Sequence, residues 1–163
     1  MRRSLPAALA LCLFLAGAAL AEPVHFKSLL PIVAVTLPGW TAGTPSGSTV
    51  KQPLEASEAS VEFSKGDLRL EIAVYDGGPA MAAAFAAVSQ VEMETTEESV
   101  KPAGVKGYRG SLFTRTNDKE VDLVLMVAPR FAVSLHMTGS ADAALVLEAA
   151  NRLDLDKLAA LSK

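Results

Sequence analysis

The sequence predicts an α+β fold: an antiparallel sheet of about five or six strands with two main helices packed on one face. Three observations carry this expectation. Between Glu120 and Thr138, Val121, Leu123, Leu125 and Val127 alternate with their neighbours, and after Ala128-Pro129-Arg130 the alternation resumes at Phe131, Val133, Leu135 and Met137. That is the period of two of half-buried strands. The same period recurs at Ala59, Val61 and Phe63 and again at Leu68, Leu70, Ile72 and Val74. Two other stretches, Pro79 to about Val91 and Ala141 to Leu153, place apolar residues at helical spacing instead. Strands joined by tight turns cannot be parallel, so the sheet must be antiparallel.

Residues 1–21 read as a secretory signal peptide. Arg2 and Arg3 supply the positive end, Leu5 to Leu20 the apolar run, and Ala19 and Ala21 the small residues ahead of Glu22. The run contains Pro6 and Gly17 and is shorter than the roughly 20 residues that span a bilayer, so cleavage is favoured over anchoring. Cys12 lies inside the apolar core of this segment, which disfavours lipid attachment. The mature chain, residues 22–163, is then one α+β domain with no cysteine, held by its apolar core and by no disulfide. Loss of Arg2 and Arg3 takes the formal charge from −3 to −5. A mildly acidic surface argues against nucleic acid as the main partner.

Along the mature chain, Phe26, Leu29 and Leu30 form a short helical turn that Pro31 is expected to stop, leaving Ile32 to Val35 extended. Leu37-Pro38-Gly39-Trp40 precedes a Gly-, Ser-, Thr- and Pro-rich stretch to Pro53 that reads as an irregular loop. Trp40 is expected to cap one end of the core, with a ligand-stacking role as the alternative. Phe63 and Leu68 fit a hairpin closed around Lys65-Gly66, with Ser64 opposite Asp67. Asp76-Gly77-Gly78-Pro79 ends the next strand and opens the first main helix, whose stripe is Met81, Phe85 and Val88. Glu92 to Glu98 is an acidic run expected to be a solvated loop; it lacks the ligand alternation of a calcium loop. Pro102, Gly104, Gly107 and Gly110 limit any strand there to a short or bulged one. Ser111 to Thr116 is a strand in which either Leu112 or Phe113 faces the core. Ser140 is a candidate N-cap for the second main helix, whose stripe is Leu145, Val146, Ala149 and Leu153.

Chemistry-bearing patterns are sparse. His25 and His136 have no partners at metal-ligand spacing, there is no Gly-x-Ser-x-Gly, and no Lys-Ser or Lys-Thr follows the glycines at 39, 43 and 47. No cofactor, catalytic residue or metal ligand is expected. Strand parity does single out one constellation. If both apolar sets of the 120–138 hairpin face one core, Val127 lies opposite Phe131 across a three-residue loop, and Asp122 falls opposite His136 on the other face. Val124, Met126 and Ala132 share that face with Ser134. So many apolar residues on the wet side of a sheet call for a cover: Ile32 to Val35 is the expected one, being apolar and without another assigned place, and a second copy or a partner is the alternative. Asp122, Val124, Met126 and His136 are the candidate contact residues, the first and last as a pH-sensitive pair.

Leu37-Pro38-Gly39-Trp40, Thr44-Pro45-Ser46-Gly47, Ser57-Glu58-Ala59, Lys65-Gly66-Asp67, Asp76, Gly107-Tyr108-Arg109-Gly110, Arg130-Phe131 and Leu153-Asp154-Leu155-Asp156-Lys157-Leu158 follow one another along the mature chain. In this order they resemble a group of uncharacterised exported bacterial proteins, and the arrangement is similar at the level of architecture to the PsbP-like α/β sandwich. Neither resemblance implies a site. The expected function is therefore a periplasmic or secreted, non-enzymatic binding or interaction module whose partner is a protein or a small apolar ligand. The alternatives are an envelope carrier of an apolar ligand and a small hydrolase whose carboxylates no motif singles out.

Overall fold

The computed structural model describes residues 22–51, 55–78, 85 and 91–163. Helix α1 (Phe26–Val33) precedes strands β1 (Thr41–Ala42), β2 (Ser46–Val50), β3 (Ala56–Lys65), β4 (Leu68–Asp76), β5 (Met93–Glu94), β6 (Glu98–Val105), β7 (Tyr108–Arg115), β8 (Glu120–Val127) and β9 (Phe131–Thr138); helices α2 (Ala143–Asn151) and α3 (Leu155–Ala160) close the chain. All strand pairs are antiparallel, in the order β1-β3-β4-β9-β8-β7-β6-β5, with β2 pairing the same edge of β3 as β1 does.

The α+β expectation of five or six strands under two main helices is thereby overturned. The described residues form a nine-stranded sheet, and their helices have only 8, 9 and 6 residues. The first main helix expected, Pro79 to Val91, lies outside the described residues but for the helical Phe85 and the exposed Val91. The second is real but shorter than expected. Asp142, not Ser140, is its N-cap, accepting the Ala144 amide through its side chain, while Ser140 accepts the Asp142 amide.

The additional strands come from stretches without apolar alternation. β2, with the sequence SGSTV, is almost wholly exposed and is held to β3 by main-chain pairing from Ser46↔Ser60 to Val50↔Ala56, so no hydrophobic period marks it. Phe26 packs so closely on it that a Cβ at Gly47 would lie 2.9 Å from the ring. β5 sits in the acidic run: Thr95 Oγ1 accepts the amides of Glu97 and Glu98, and the resulting turn pairs Met93 with Val100. β6 runs for eight residues through Pro102 and Gly104, longer than the short or bulged strand expected. Its turn into β7 is Lys106-Gly107, with φ of 52° and 86°, the left-handed pair that a two-residue hairpin demands.

Register follows the predicted parity. Val127 pairs with Phe131, Leu125 with Val133 and Leu123 with Leu135 across the Ala128-Pro129-Arg130 loop. In the β3–β4 hairpin the parity holds but the register moves by two: Phe63 faces Leu70, and Gly66-Asp67 form the turn in place of Lys65-Gly66. Gly66, at φ 59°, then occupies the first turn position, where a left-handed residue is needed. β4 and β9, far apart in sequence, join the two halves of the sheet through Leu70↔Met137, Ile72↔Leu135 and Val74↔Val133.

These residues make one inner face. Leu29, Ile32 and Val33 of α1, Val146, Ala149 and Ala150 of α2, Leu155 and Leu158 of α3, and Leu153 pack on it. Burial of each large side chain contributes about 1.5–3 kcal/mol. Leu112 pairs with Leu123 and belongs to this face, while Phe113 pairs with Asp122 on the other. Pro31 does not stop α1, which runs on to Val33; one main-chain bond is lost at the proline, but Ile32 and Val33 become fully buried.

Candidate functional site

The outer face of the sheet takes the other residue of every alternating pair. On β8 and β9 this places Asp122 opposite His136, Val124 opposite Ser134 and Met126 opposite Ala132. The sequence-predicted pair is made: His136 Nδ1 lies 2.6 Å from Asp122 Oδ1. β7 adds a third member that parity did not reveal. Arg115 Nη2 donates to Asp122 Oδ2 at 2.7 Å and its Nε to Glu120 Oε2 at 2.9 Å. One guanidinium therefore bridges two carboxylates, and one carboxylate bridges a guanidinium and an imidazole. The Glu120 hydrogen bond first, and then the Asp122 charge, hold the Arg115 proton beyond its ordinary range. On the far side of His136, β4 presents Glu71, and β3 presents Glu62 beside it. The His136 and Arg115 side chains are 39% and 32% exposed, so these contacts orient the groups more than they stabilise the fold. An Asp–His pair of this kind fixes the imidazole plane through Nδ1 and leaves Nε2 to meet another molecule.

Val124 and Met126 continue the face as half-buried side chains, and Ala73, Ala132 and Ser111 near them are buried. Among the described residues Ser111 Oγ has no hydrogen-bond partner. The expectation that Ile32 to Val35 covers this patch is overturned. Ile32 and Val33 are fully buried in the inner-face core, because α1 docks against β3 and β4 on that side.

No protein-family model, curated protein or solved structure matches this chain. The chemistry of the site therefore rests on its own residues. Among the described residues no group of three or more His, Cys, Asp and Glu side chains is placed to hold a metal ion, and no helix is long and apolar enough to cross a membrane. Trp40 is half-buried against the core with Lys65 Nζ 6.0 Å from its ring centroid, and it lines a cleft of about 40 Å³ with Leu145, Glu148 and Arg152. That is far below the roughly 300 Å³ of a small-molecule site. The cap reading of Trp40 is the one its packing supports.

A second polar cluster escaped the sequence reading. Asp76, at the end of β4, is fully buried. It accepts Arg130 Nε at 2.9 Å and Nη2 at 2.7 Å, a two-pronged ion pair with a guanidinium whose side chain is 11% exposed. The two residues lie 54 positions apart, and only the β4–β9 pairing, Asp76↔Phe131, brings them together. A charged residue at the end of an apolar strand was the available signal, but it could not name the partner.

The outer face also carries Tyr75, whose hydroxyl is held above its ordinary pKa of 10.0 by burial first and by the Glu58 and Glu71 charges next. A raised folded-state pKa means that this contribution to stability is present below the unfolded value and is lost as pH rises through the folded one. Phenolate absorbance should therefore appear at higher pH in the native protein than in the urea-unfolded chain. In Tyr75→Phe the signal remaining is that of Tyr108, which the hydrogen bond to Asp156 also raises. Coincident native and unfolded titrations would contradict this.

Proposed function

We propose that the protein is an exported, non-enzymatic interaction module acting in the periplasm or outside the cell, and that it contacts a partner protein through the outer face of the sheet. The observation that supports this most directly is the junction of two unlike surfaces on β8 and β9. Half-buried Val124 and Met126 adjoin the Arg115–Asp122–His136 chain of polar contacts. Interfaces are built in this way, from an apolar centre and a polar rim that sets orientation. The rim is mainly acidic, with Glu58, Glu62, Glu71, Glu120 and Asp122 set against Arg69 and Arg115. A matching partner presents an apolar side chain flanked by basic groups. The signal-like segment 1–21 supports export.

Met126→Glu separates this role from a structural one. A carboxylate in an interface costs several kcal/mol, whereas one facing solvent costs the free protein little. The expected result is a Tm within about 2 °C of the wild type, with loss of the partner that the wild type retains in a pull-down from its own periplasm. A Tm lowered by many degrees in the isolated monomer would make the patch part of the fold. Multiple-turnover hydrolysis on an esterase, glycosidase and phosphatase panel, abolished by a point change, would overturn the non-enzymatic reading.

A further inference from the structure

The Asp76–Arg130 pair holds a third party, the first residues after the predicted cleavage point. Val24 N donates to Asp76 Oδ2 at 2.7 Å, and Arg130 Nη2 donates to the Glu22 carbonyl at 2.8 Å. Two residues on, Phe26 N donates to Thr49 Oγ1 at 2.9 Å, and that hydroxyl lies 2.8 Å from Ser57 Oγ, whose residue is 2% exposed. His25 Nδ1 then accepts the Lys27 amide and starts α1. The segment from Glu22 to Phe26 is thus tied through its main chain to β2, β4 and the β8–β9 loop. The Glu22, Val24 and Phe26 hydrogen bonds all engage main-chain atoms of the segment, while the Val24 side chain packs against the core and the Phe26 ring packs on β2 at Gly47.

We propose that this clamp is a maturation latch. It docks the residues that leader removal leaves at the new N-terminus and shields them from trimming, so that the mature chain stays at Glu22. The first clamped atom is the Glu22 carbonyl, and the Ala21–Glu22 peptide bond lies just outside it. Cleavage there keeps every contact, while loss of three more residues removes both contacts to the ion pair. A protease needs several extended residues free of other partners, and the docked segment offers them only after local opening. The opening must break a charge-assisted bond at each end of the ion pair. The Val24 amide and the Glu22 carbonyl give this buried ion pair further hydrogen-bond partners, so segment and clamp stabilise each other.

The latch rests on the export reading for its purpose, but its mechanics are tested separately. Arg130→Lys keeps a cation beside Asp76 but lacks the planar fork that serves Asp76 and the Glu22 carbonyl together. Wild type and R130K are exposed to thermolysin under native conditions and followed by intact mass, with a circular dichroism melt to show that both are folded. Bonds between residues 22 and 27 are expected to be cut about tenfold faster in R130K, with the remainder of the chain intact in both. Equal trimming of the two proteins overturns the latch. The wild-type mass from the exported fraction is read independently: a chain beginning at Glu22 supports the export reading, and a retained leader overturns it without touching the digest.

Discussion

Gly110→Ala is expected to be among the most damaging single changes in the protein. A Cβ at this position would lie 1.9 Å from the Val124 carbonyl oxygen and 2.9 Å from Leu125 Cα, both main-chain atoms that no rotamer change can move. The cause is the close approach of the two main chains at the last β7–β8 pair. β7 pairs with β8 only as far as Gly110↔Leu125, while β8 continues to Val127. Beyond that pair the β6–β7 hairpin reaches the C-terminal segment, where Tyr108 Oη donates to Asp156 at 2.8 Å and Lys106 Nζ to the Leu153 carbonyl at 2.8 Å. Alanine forces β7 and β8 apart at the end of their ladder, beside the fully buried Leu125. The expected cost is about 3 kcal/mol or more, read as a fall in Tm of about 10 °C. Gly104→Ala is the control, since its Cβ would meet only the Tyr108 carbonyl at an ordinary 3.6 Å. If the two variants melt together, the close approach is not what glycine is there for.

Arg130→Ala should be comparably severe for an electrostatic reason. It removes both prongs from a carboxylate that is fully buried, leaving Asp76 with the Val24 and Gly78 amides as its described donors. Stranding a buried charge in this way costs about 3–5 kcal/mol. The double variant Asp76→Ala/Arg130→Ala should recover part of the loss, because the penalty belongs to the unpaired ion more than to the missing attraction. Urea denaturation of the two single variants and the double variant measures this directly. Strict additivity in that cycle would mean that the residues do not act as a pair.

The facing of Asp122 and His136 is legible in the sequence because a hairpin is a local object. Its loop length sets the register, and the period of two assigns each residue to a face. Arg115 is not legible in the same way, since the loop from β7 to β8 could have carried one residue more or fewer and turned Phe113 inward in place of Leu112. The same limit explains β2 and β5. An edge strand bonded through its main chain and left mostly exposed has no need of alternating apolar residues, so SGSTV and Met93-Glu94 look like loop.

The sequence by itself determined what depends on short range: the β8–β9 register, the faces of β3 and β4, the helical stretch after Asp142, and the apolar set that makes the core. Only the tertiary structure decided that β4 lies against β9, that Asp76 therefore meets Arg130, that α1 covers the inner and not the outer face, and that Gly110 lies hard against the β8 main chain. Those facts depend on which distant strands share an edge. A buried hydrophobic face is satisfied by any partner of suitable shape, so its pattern states that a strand is covered without stating by what.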